Sequence, residues 1–283
     1  MPSSVKEGRV TKASKSASAR PAVTIERPKR TLKKREKSQK LLPLVERTNR
    51  LPLDQFIAYY LPPPALEIKY PNSTPQDHGS VRKEGLDYLL DIYTAHSLPA
   101  ADFEACFRLI ELTSSKDYSG SSIGWSPSKK RKEMKLPDMR YLLLHPNSSR
   151  ERVTAKGGTA ISDTPDPAQS PNERNILGFV SFMITYEDGK EVIYCYEIHL
   201  SPVVQGRGLG KLLMARFEEI GRRIGLEKAM LTVFKSNSTA LRLYDRLGYS
   251  VDEYSPQPRT LRNGTVKEPD YLILSKPLQQ TAT

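Results

Sequence analysis

The stretch Gln205-Gly206-Arg207-Gly208-Leu209-Gly210-Lys211 has the residue types needed to hold a phosphate group. Glycines at 206, 208 and 210 keep side chains out of the way, so an anion can approach the main chain. If a helix starts at Leu209, its first N–H groups have no partner inside the helix and point outward. Arg207 and Lys211 add positive charge at the rim, arginine as a two-pronged donor and lysine as a point charge. The stretch is not a Walker A loop, because no Gly-Lys-Ser/Thr ends it. Its Gly-Arg-Gly-Leu-Gly spacing also departs from the dinucleotide pattern Gly-x-Gly-x-x-Gly. Taken alone, it could be a plain strand-to-helix connection. Just upstream, a strand over residues 194–200 carries Tyr194, Cys195, Tyr196, Glu197, Ile198, His199 and Leu200. Simple alternation predicts Cys195, Glu197 and His199 on one face and Tyr194, Tyr196 and Ile198 on the other.

These residues need elements to position them. After the glycines, an amphipathic helix is expected over 209–224, then a strand over 229–234, a helix over 238–247 and a strand over 249–254. Tyr271-Leu272-Ile273-Leu274 is expected to close the sheet. Before the glycines, strands over 176–185 and 191–200 are joined by a turn through Glu187-Asp188-Gly189, a hairpin signal. Tyr141-Leu142-Leu143-Leu144 reads as a short buried strand. Further upstream, Leu86, Leu89, Leu90 and Tyr93 fit a helical stripe over 81–96. Phe103, Cys106, Phe107 and Ile110 fit another over 100–112. Residues 118–127 are rich in Ser and Gly and carry the only tryptophan, Trp125. Ser126-Pro127 can cap a short basic helix running to Met134. Residues 51–75, with Pro62-Pro63-Pro64, read as irregular. A β-α-β-α-β run behind helices and strands predicts an α/β fold with a mixed, mostly antiparallel central sheet and flanking helices.

Composition divides the chain. Of its 283 residues 37% are hydrophobic, and 22 are proline, which points to parts that bury no core. Residues 1–50 hold 15 Lys and Arg against 4 Asp and Glu, a balance of +11 within a formal net charge of +12. The basicity therefore belongs to an expected disordered N-terminal tail (1–50), and a folded domain is expected over 51–278, with a short tail at 279–283. The cluster from Arg27-Pro28-Lys29-Arg30 to Lys33-Lys34-Arg35 reads as a nuclear-localisation signal or as a solubilising arm. Residues 145–175 have no apolar stripe and read as a disordered insertion between strong strands. Cys106 and Cys195 form neither a disulfide framework nor a zinc pattern, and no metal is expected. No long apolar run or signal-peptide core is seen, so a soluble intracellular protein with no membrane contact is expected.

The glycine stretch resembles the cofactor motif Gln/Arg-x-x-Gly-x-Gly/Ala of the GCN5-related N-acetyltransferase superfamily, with Gln205, Gly208 and Gly210 at its set positions. Met230-Leu231-Thr232-Val233-Phe234, then Asn237, Ala240 and Tyr244, then Leu247-Gly248-Tyr249 are similar to the superfamily's next elements. Val192-Ile193-Tyr194-Cys195-Tyr196-Glu197, Leu231-Thr232-Val233-Phe234-Lys235 and the segment from Tyr118 through Gly124-Trp125 to the basic helix resemble one branch in particular. That branch is the NatD-type, histone-specific N-alpha-acetyltransferases. The likeness covers roughly residues 80–144 and 176–275.

The resemblance implies acetyl-CoA as co-substrate. Its binding residues would be Ile198, His199, Leu200, Gln205, Gly206, Arg207, Gly208, Leu209, Gly210, Lys211, Thr232 and Asn237. It implies peptide contacts at Tyr118, Glu187, Tyr194, Tyr196 and Ser255, and as substrate the N-terminal Ser of histones four and two-A, whose tails begin Ser-Gly-Arg-Gly. The same likeness suggests a monomer without auxiliary subunit; nucleus and cytoplasm are the expected locations, and no sequence-specific nucleic-acid binding is expected. The branch's Gly-Trp-Gly-Trp is Ser122-Ile123-Gly124-Trp125 here, and an acidic position two before Glu187 is Thr185.

An α-amine has a pKa near 8 and needs little help to lose a proton. Glu197 is the first candidate for that base and Glu187 its rival, while Glu197 could instead pair with a basic residue and Glu187 be a solvated charge or a substrate anchor. Tyr244 stands where the superfamily's thiolate acid is expected, or it packs in the core. Tyr118, Tyr194 and Tyr196 could wall a channel for a small first residue, with Tyr196 also reaching the reacting atoms. Glu187, Asp188, Glu191, Asp252 and Glu253 could meet a substrate arginine. An acetyltransferase of lysine or small amines and a non-catalytic chromatin-binding module are the competing readings.

Overall fold

The computed structural model describes residues 42–62, 66–69, 87–147 and 174–278. The expected localisation cluster, the body of the tail, most of the 145–175 insertion and the 279–283 end lie outside these residues. The fold starts before residue 51. Helix α1 (Leu44–Asn49) buries Val45 and Thr48, and α2 (Leu53–Tyr60) buries Phe56 completely, so residues expected to be tail and irregular segment are helical and belong to the core.

The chain continues through β1 (Glu67–Lys69), β2 (Asp87–Thr94), α3 (Ala100–Ser119), α4 (Pro127–Glu133), β3 (Arg140–Pro146), β4 (Gly178–Glu187) and β5 (Lys190–Leu200). A 3₁₀ turn at Pro202–Val204 leads into α5 (Leu209–Ile224), followed by β6 (Lys228–Phe234), α6 (Ser238–Arg246), β7 (Ser250–Val251), β8 (Arg259–Thr260), β9 (Val266–Lys267) and β10 (Tyr271–Pro277). Eight strands form one sheet in the order β1-β2-β3-β4-β5-β6-β10-β7, and β8 and β9 form a separate hairpin. Every neighbouring pair in the large sheet is antiparallel except β5 and β6. β10 lies inside the sheet, between β6 and the two-residue β7, so it does not close the sheet as expected.

The helix expected over 81–96 is a strand over its described part. In β2, Tyr88, Leu90 and Ile92 are buried and their neighbours are not, a period of two rather than 3.6. Leu89, Leu90 and Tyr93 satisfied helical spacing as well, and pairing with β1 and β3 decided between the two. α3 runs seven residues past the expected end at Leu112, which places Tyr118 on its last turn.

The sheet separates two apolar layers. On one face α1, α2, α5 and α6 pack on Val180, Phe182, Ile184, Ile193 and Cys195. On the other face α3 and α4 pack on Tyr141, Leu143 and Phe179. Gly178 marks a close crossing of β4 over β5, where a Cβ would lie 2.7 Å from the His199 carbonyl oxygen and 2.5 Å from Leu200 Cδ2.

Candidate active site

The site begins with an interruption in strand pairing. Ser181 pairs with Glu197 and Phe182 with Cys195, leaving Tyr196 as an extra residue in β5, a β-bulge. Paired residues on neighbouring strands share a face, and β4 alternates without a break. Ile193 and Cys195 therefore point to the α5 layer, Tyr196 packs against the α3 layer, and Ile198 and Leu200 return to the α5 layer. Glu197 and His199 face α3 and α4. Simple alternation had set Glu197 opposite Tyr196. The bulge puts them on the same side, with the Tyr194 and Tyr196 rings 5.5 Å apart.

A second interruption lies on the other edge of β5. Its parallel pairing with β6 ends at Cys195↔Leu231, although both strands continue. Beyond that point the strands part, and the edge of β5 that faced β6 has no strand partner. The opening is a cleft lined by residues 195–199 of β5, residues 231–234 of β6, Ser114 and Tyr118 of α3, and Asn237, Ala240 and Tyr244 at α6. Tyr118 reaches across its mouth, meeting the Phe234 ring edge-on at 4.9 Å. Trp125 supports Tyr118 from behind, 5.6 Å from its ring and stacked at 5.9 Å on Phe107. Ser122 holds this loop through its N–H and hydroxyl, both donated to Asp270. Ile123, at the branch's tryptophan position, is exposed.

Beneath Tyr118 is a buried polar chain. Glu197 Oε1 accepts from the Tyr118 hydroxyl at 2.7 Å and from Lys130 Nζ at 2.7 Å, and Glu197 Oε2 is 2.6 Å from His199 Nε2. His199 Nδ1 lies 2.6 Å from the Thr113 hydroxyl, which itself reaches the Leu109 carbonyl at 2.7 Å. Lys130 Nζ also donates to Tyr118 Oη at 2.8 Å and to Glu133 at 2.9 Å. Burial pushes the Glu197 carboxyl up, yet the His199 and Lys130 donors outweigh it and hold the pKa down at about 2. Burial and the Glu197 charge push the Tyr118 phenol up. With Tyr118, Lys130 and His199 around it, the Glu197 carboxylate is a poor proton acceptor. The expectation of Glu197 as the base does not fit this setting. Sequence reading passed over Lys130 and Thr113, although Lys130 stands four residues before the buried Met134, on the inward side of α4.

The other expected residues divide into two groups. Thr232 is in the cleft, its hydroxyl 2.5 Å from that of Tyr194. Asn237 caps α6 by accepting from the Ala240 N–H at 3.0 Å. Tyr244 is buried at the cleft floor, and burial pushes its phenol well above the usual range, so it keeps its proton. Glu187 ends β4; burial and Asp188 raise its carboxyl, and its charge in turn helps raise Tyr194 and Tyr196. Ser255, expected as a peptide contact, is buried with its Oγ accepting from the Ile273 N–H at 3.0 Å, so it fastens a turn to β10. Asp252 is buried against Lys228 at 2.6 Å, so its carboxylate is not left over for a substrate arginine, while Glu253 pairs with Lys190 at 3.2 Å on the exposed surface.

The glycine stretch has the shape its residues implied. Gly206 and Gly208 have φ of 75° and 79°, in the left-handed region, with open space where a Cβ would stand. Gly208 is the N-cap of α5 with no side-chain cap, so the N–H groups of Leu209, Gly210 and Lys211 face outward. Gln205 ties the loop to β5 through its Nε2 donating to the Leu200 carbonyl at 2.9 Å, and Arg207 and Lys211 are exposed. Free N–H groups, left-handed glycines and an unpaired strand edge in sequence form a track that suits a pyrophosphate followed by an amide-bearing arm. Among the described residues no group of three or more His, Cys, Asp and Glu side chains is placed to hold a metal ion. No helix among them is long and apolar enough to cross a membrane.

Parts of the chain are similar to known proteins. Residues 150–249 match the model of the acetyltransferase (GNAT) family. N-alpha-acetyltransferase 40 of Saccharomyces cerevisiae is 33% identical over 105 residues, covering 30% of this chain and 37% of the yeast protein. The uncharacterized N-acetyltransferase YycN of Bacillus subtilis is 30% identical over 78 residues, covering 28% of this chain and 50% of its own length. The chain thus spans half or less of the length of these curated relatives. Among solved structures, Arabidopsis thaliana NAA60 in complex with a bisubstrate analogue superposes with a TM-score of 0.43 at 13% identity, covering 67% of this chain and 99% of that one. The ribosomal-protein-S18-alanine N-acetyltransferase of Escherichia coli gives 0.41 at 16% identity, covering 69% and 97%. The matched segment takes in the parallel pair of β5 and β6 at which the sheet splits and the glycine stretch between them.

Proposed function

We propose that the chain transfers an acetyl group from acetyl-CoA to the free α-amine of a protein chain, with ends beginning Ser-Gly-Arg-Gly as the preferred class. The observation that carries the reading is the Tyr118 hydroxyl. Its only hydrogen goes to Glu197, so toward the cleft it offers a lone pair and no donor. That suits an incoming amine, which has N–H bonds to place and a lone pair to aim. The likeness to the yeast N-alpha-acetyltransferase 40 supports an α-amine as the acceptor.

Bound acetyl-CoA supplies the activated acetyl thioester. The outward N–H groups of Leu209, Gly210 and Lys211 would hold its pyrophosphate, with Arg207 and Lys211 adding charge. The unpaired edge of β5 at residues 196–199 would pair with its amides, and Thr232 and Asn237 stand on the opposite wall. Tyr118, Tyr194 and Tyr196 narrow the amine's side of the cleft, which favours a chain end with a small first residue. Tyr244 keeps a proton at the floor, where a leaving thiolate would need one. An α-amine loses its proton near pH 8, so a strong base is not required. Glu187, raised by burial beside Tyr194 and Tyr196, is the carboxylate best placed to assist or to anchor a substrate arginine. Histone tails as partners and action in nucleus and cytoplasm follow from the same reading.

The test is incubation with acetyl-CoA and three peptides: a free Ser-Gly-Arg-Gly end, the same end blocked, and an internal lysine. Mass spectrometry should find one acetyl group on the first peptide alone, at its α-amine. Labelling of the blocked or lysine peptide would overturn the α-amine reading, and no labelling at all would overturn acetyl transfer.

A further inference from the structure

α4 is a run of cations, Lys129, Lys130, Arg131 and Lys132, of the kind that ordinarily faces water. Lys129 and Lys132 do, but Lys130 is only 6% exposed. Its ammonium lies 4.5 Å from the centre of the Tyr118 ring, and its three N–H bonds all have acceptors: Glu197 Oε1, Tyr118 Oη and Glu133 Oε1. A buried ammonium with every donor used is set in place as firmly as a side chain can be.

We propose that Lys130 is a positioning residue of the amine site, fixing the direction of the Tyr118 hydroxyl. By donating to Tyr118 Oη, Lys130 occupies one lone pair of the phenol and forces its hydrogen toward Glu197. By pairing with Glu197, it keeps that carboxylate ionised and able only to accept. Together these leave Tyr118 a single orientation, in which one oxygen lone pair faces the cleft and takes an N–H of the arriving amine. The amine's own lone pair is thereby turned toward the acyl carbon. Lys130 touches neither substrate nor cofactor and acts through Tyr118 and Glu197. The groups that face Glu197 are Lys130 from α4, Tyr118 from α3 and His199 from β5, while Glu133 shares the lysine; Tyr141, Cys195 and Tyr244 lie within reach of its charge. Without Lys130, His199 is the one cationic candidate beside it among the described residues.

This role rests on reading the cleft as an amine acetyltransferase site, so the test has one arm that needs substrate and one that does not. In the first, Lys130→Met should lower kcat on the Ser-Gly-Arg-Gly peptide at least tenfold and leave KM for acetyl-CoA within twofold. The loss should deepen as pH falls, because removing a cation raises the Glu197 carboxyl. The exposed neighbour Lys132→Met should behave as wild type. If Lys130→Met does not fold, Lys130→Met/Glu197→Gln removes the stranded charge, and it should be as active as Glu197→Gln alone. A double variant more than threefold below Glu197→Gln, or a Lys130→Met enzyme with wild-type kcat and pH profile, would overturn the proposal. In the second arm, thermal unfolding is followed from pH 7 to 2. Wild type should lose stability as pH falls from 4.5 toward 2, and Lys130→Met should lose less, because its Glu197 carboxyl is held less far below the unfolded value; equal slopes would overturn the Lys130–Glu197 lock. A wild-type chain that acetylates no amine yet shows this difference in slope would refute the acetyl-transfer reading while supporting the lock.

Discussion

Tyr194 and Thr232 join their hydroxyls at 2.5 Å across the point where β5 and β6 begin to part. One residue stands on β5 and the other on β6, so the bond joins the two walls of the cleft. Burial lifts the Tyr194 phenol to about 12, with Thr232 opposing, so the tyrosine stays protonated at working pH. Thr232→Val keeps the shape and removes the partner. It should cost about 1 kcal/mol of transition-state stabilisation, roughly fivefold in kcat/KM, as for one neutral hydrogen bond. Tyr194→Phe should cost a similar amount, and the double variant no more than the larger single loss. Full additivity in the steady-state rates would mean that the bond itself does nothing.

Glu197 makes a prediction about acid. Its folded pKa of about 2 lies below its ordinary 4.5, so it stabilises the fold fully above 4.5 and loses that contribution as pH falls toward 2. The size is about 3 kcal/mol by linkage, as an order of magnitude. Glu197→Gln should therefore flatten the stability profile between pH 4.5 and 2. An unchanged slope in urea unfolding over that range would show that the Lys130 and His199 partnerships contribute little.

Asp252 and Glu187 should separate stability from recognition. Asp252→Asn breaks a buried pair with Lys228, and should cost about 3 kcal/mol of folding stability while leaving peptide KM within twofold. Glu187→Gln should do the reverse, raising peptide KM at least fivefold with little change in Tm. A large KM effect from Asp252→Asn would return that residue to the peptide groove.

Gly208 should be sensitive for a conformational reason. A Cβ there meets nothing, but φ of 79° is strained for any residue with one, at a cost of about 1–2 kcal/mol. Gly208→Ala should shift the N–H groups of Leu209 and Gly210, and raise the Kd for acetyl-CoA at least tenfold in calorimetry. Gly178→Ala should act differently, since its Cβ would strike the backbone oxygen of His199. Thermal unfolding should show a loss of about 2 kcal/mol or more, by overpacking.

How much of this was legible depended on the range of the interaction that decides it. The α5 start could be read from residue types because Gly206, Gly208 and the helix after them form one local unit. The hairpin through Asp188-Gly189 was legible for the same reason. β2 carried both periods at once, and only its neighbours in the sheet resolved Tyr88, Leu90 and Ile92 as a strand. α3 was cut short because its last turns, with Thr113 and Tyr118, are polar on a surface that faces other polar groups. Ser255 was carried into the peptide site by likeness and Asp252 by its charge, and their actual partners, the Ile273 N–H and Lys228, lie 18 and 24 residues away. Lys130 was hidden by its exposed neighbours, since composition marks a basic run and does not say which member turns inward.

The extra residue at Tyr196 works as a phase shift. Up to Cys195 the strand keeps oil on the side of α5, and after the shift it sets charge on the side of α3 without altering either neighbour's rhythm. Deleting Tyr196 would remove the shift and leave a plain two-residue rhythm in which Cys195 and Ile198 still face α5 and Glu197 and His199 still face α3. The extra residue is therefore spare to the sheet and not to the cleft, where it sets a second ring beside Tyr194. Its deletion should leave Tm near that of the parent chain and lower activity, and thermal unfolding beside a transfer assay would separate the two effects.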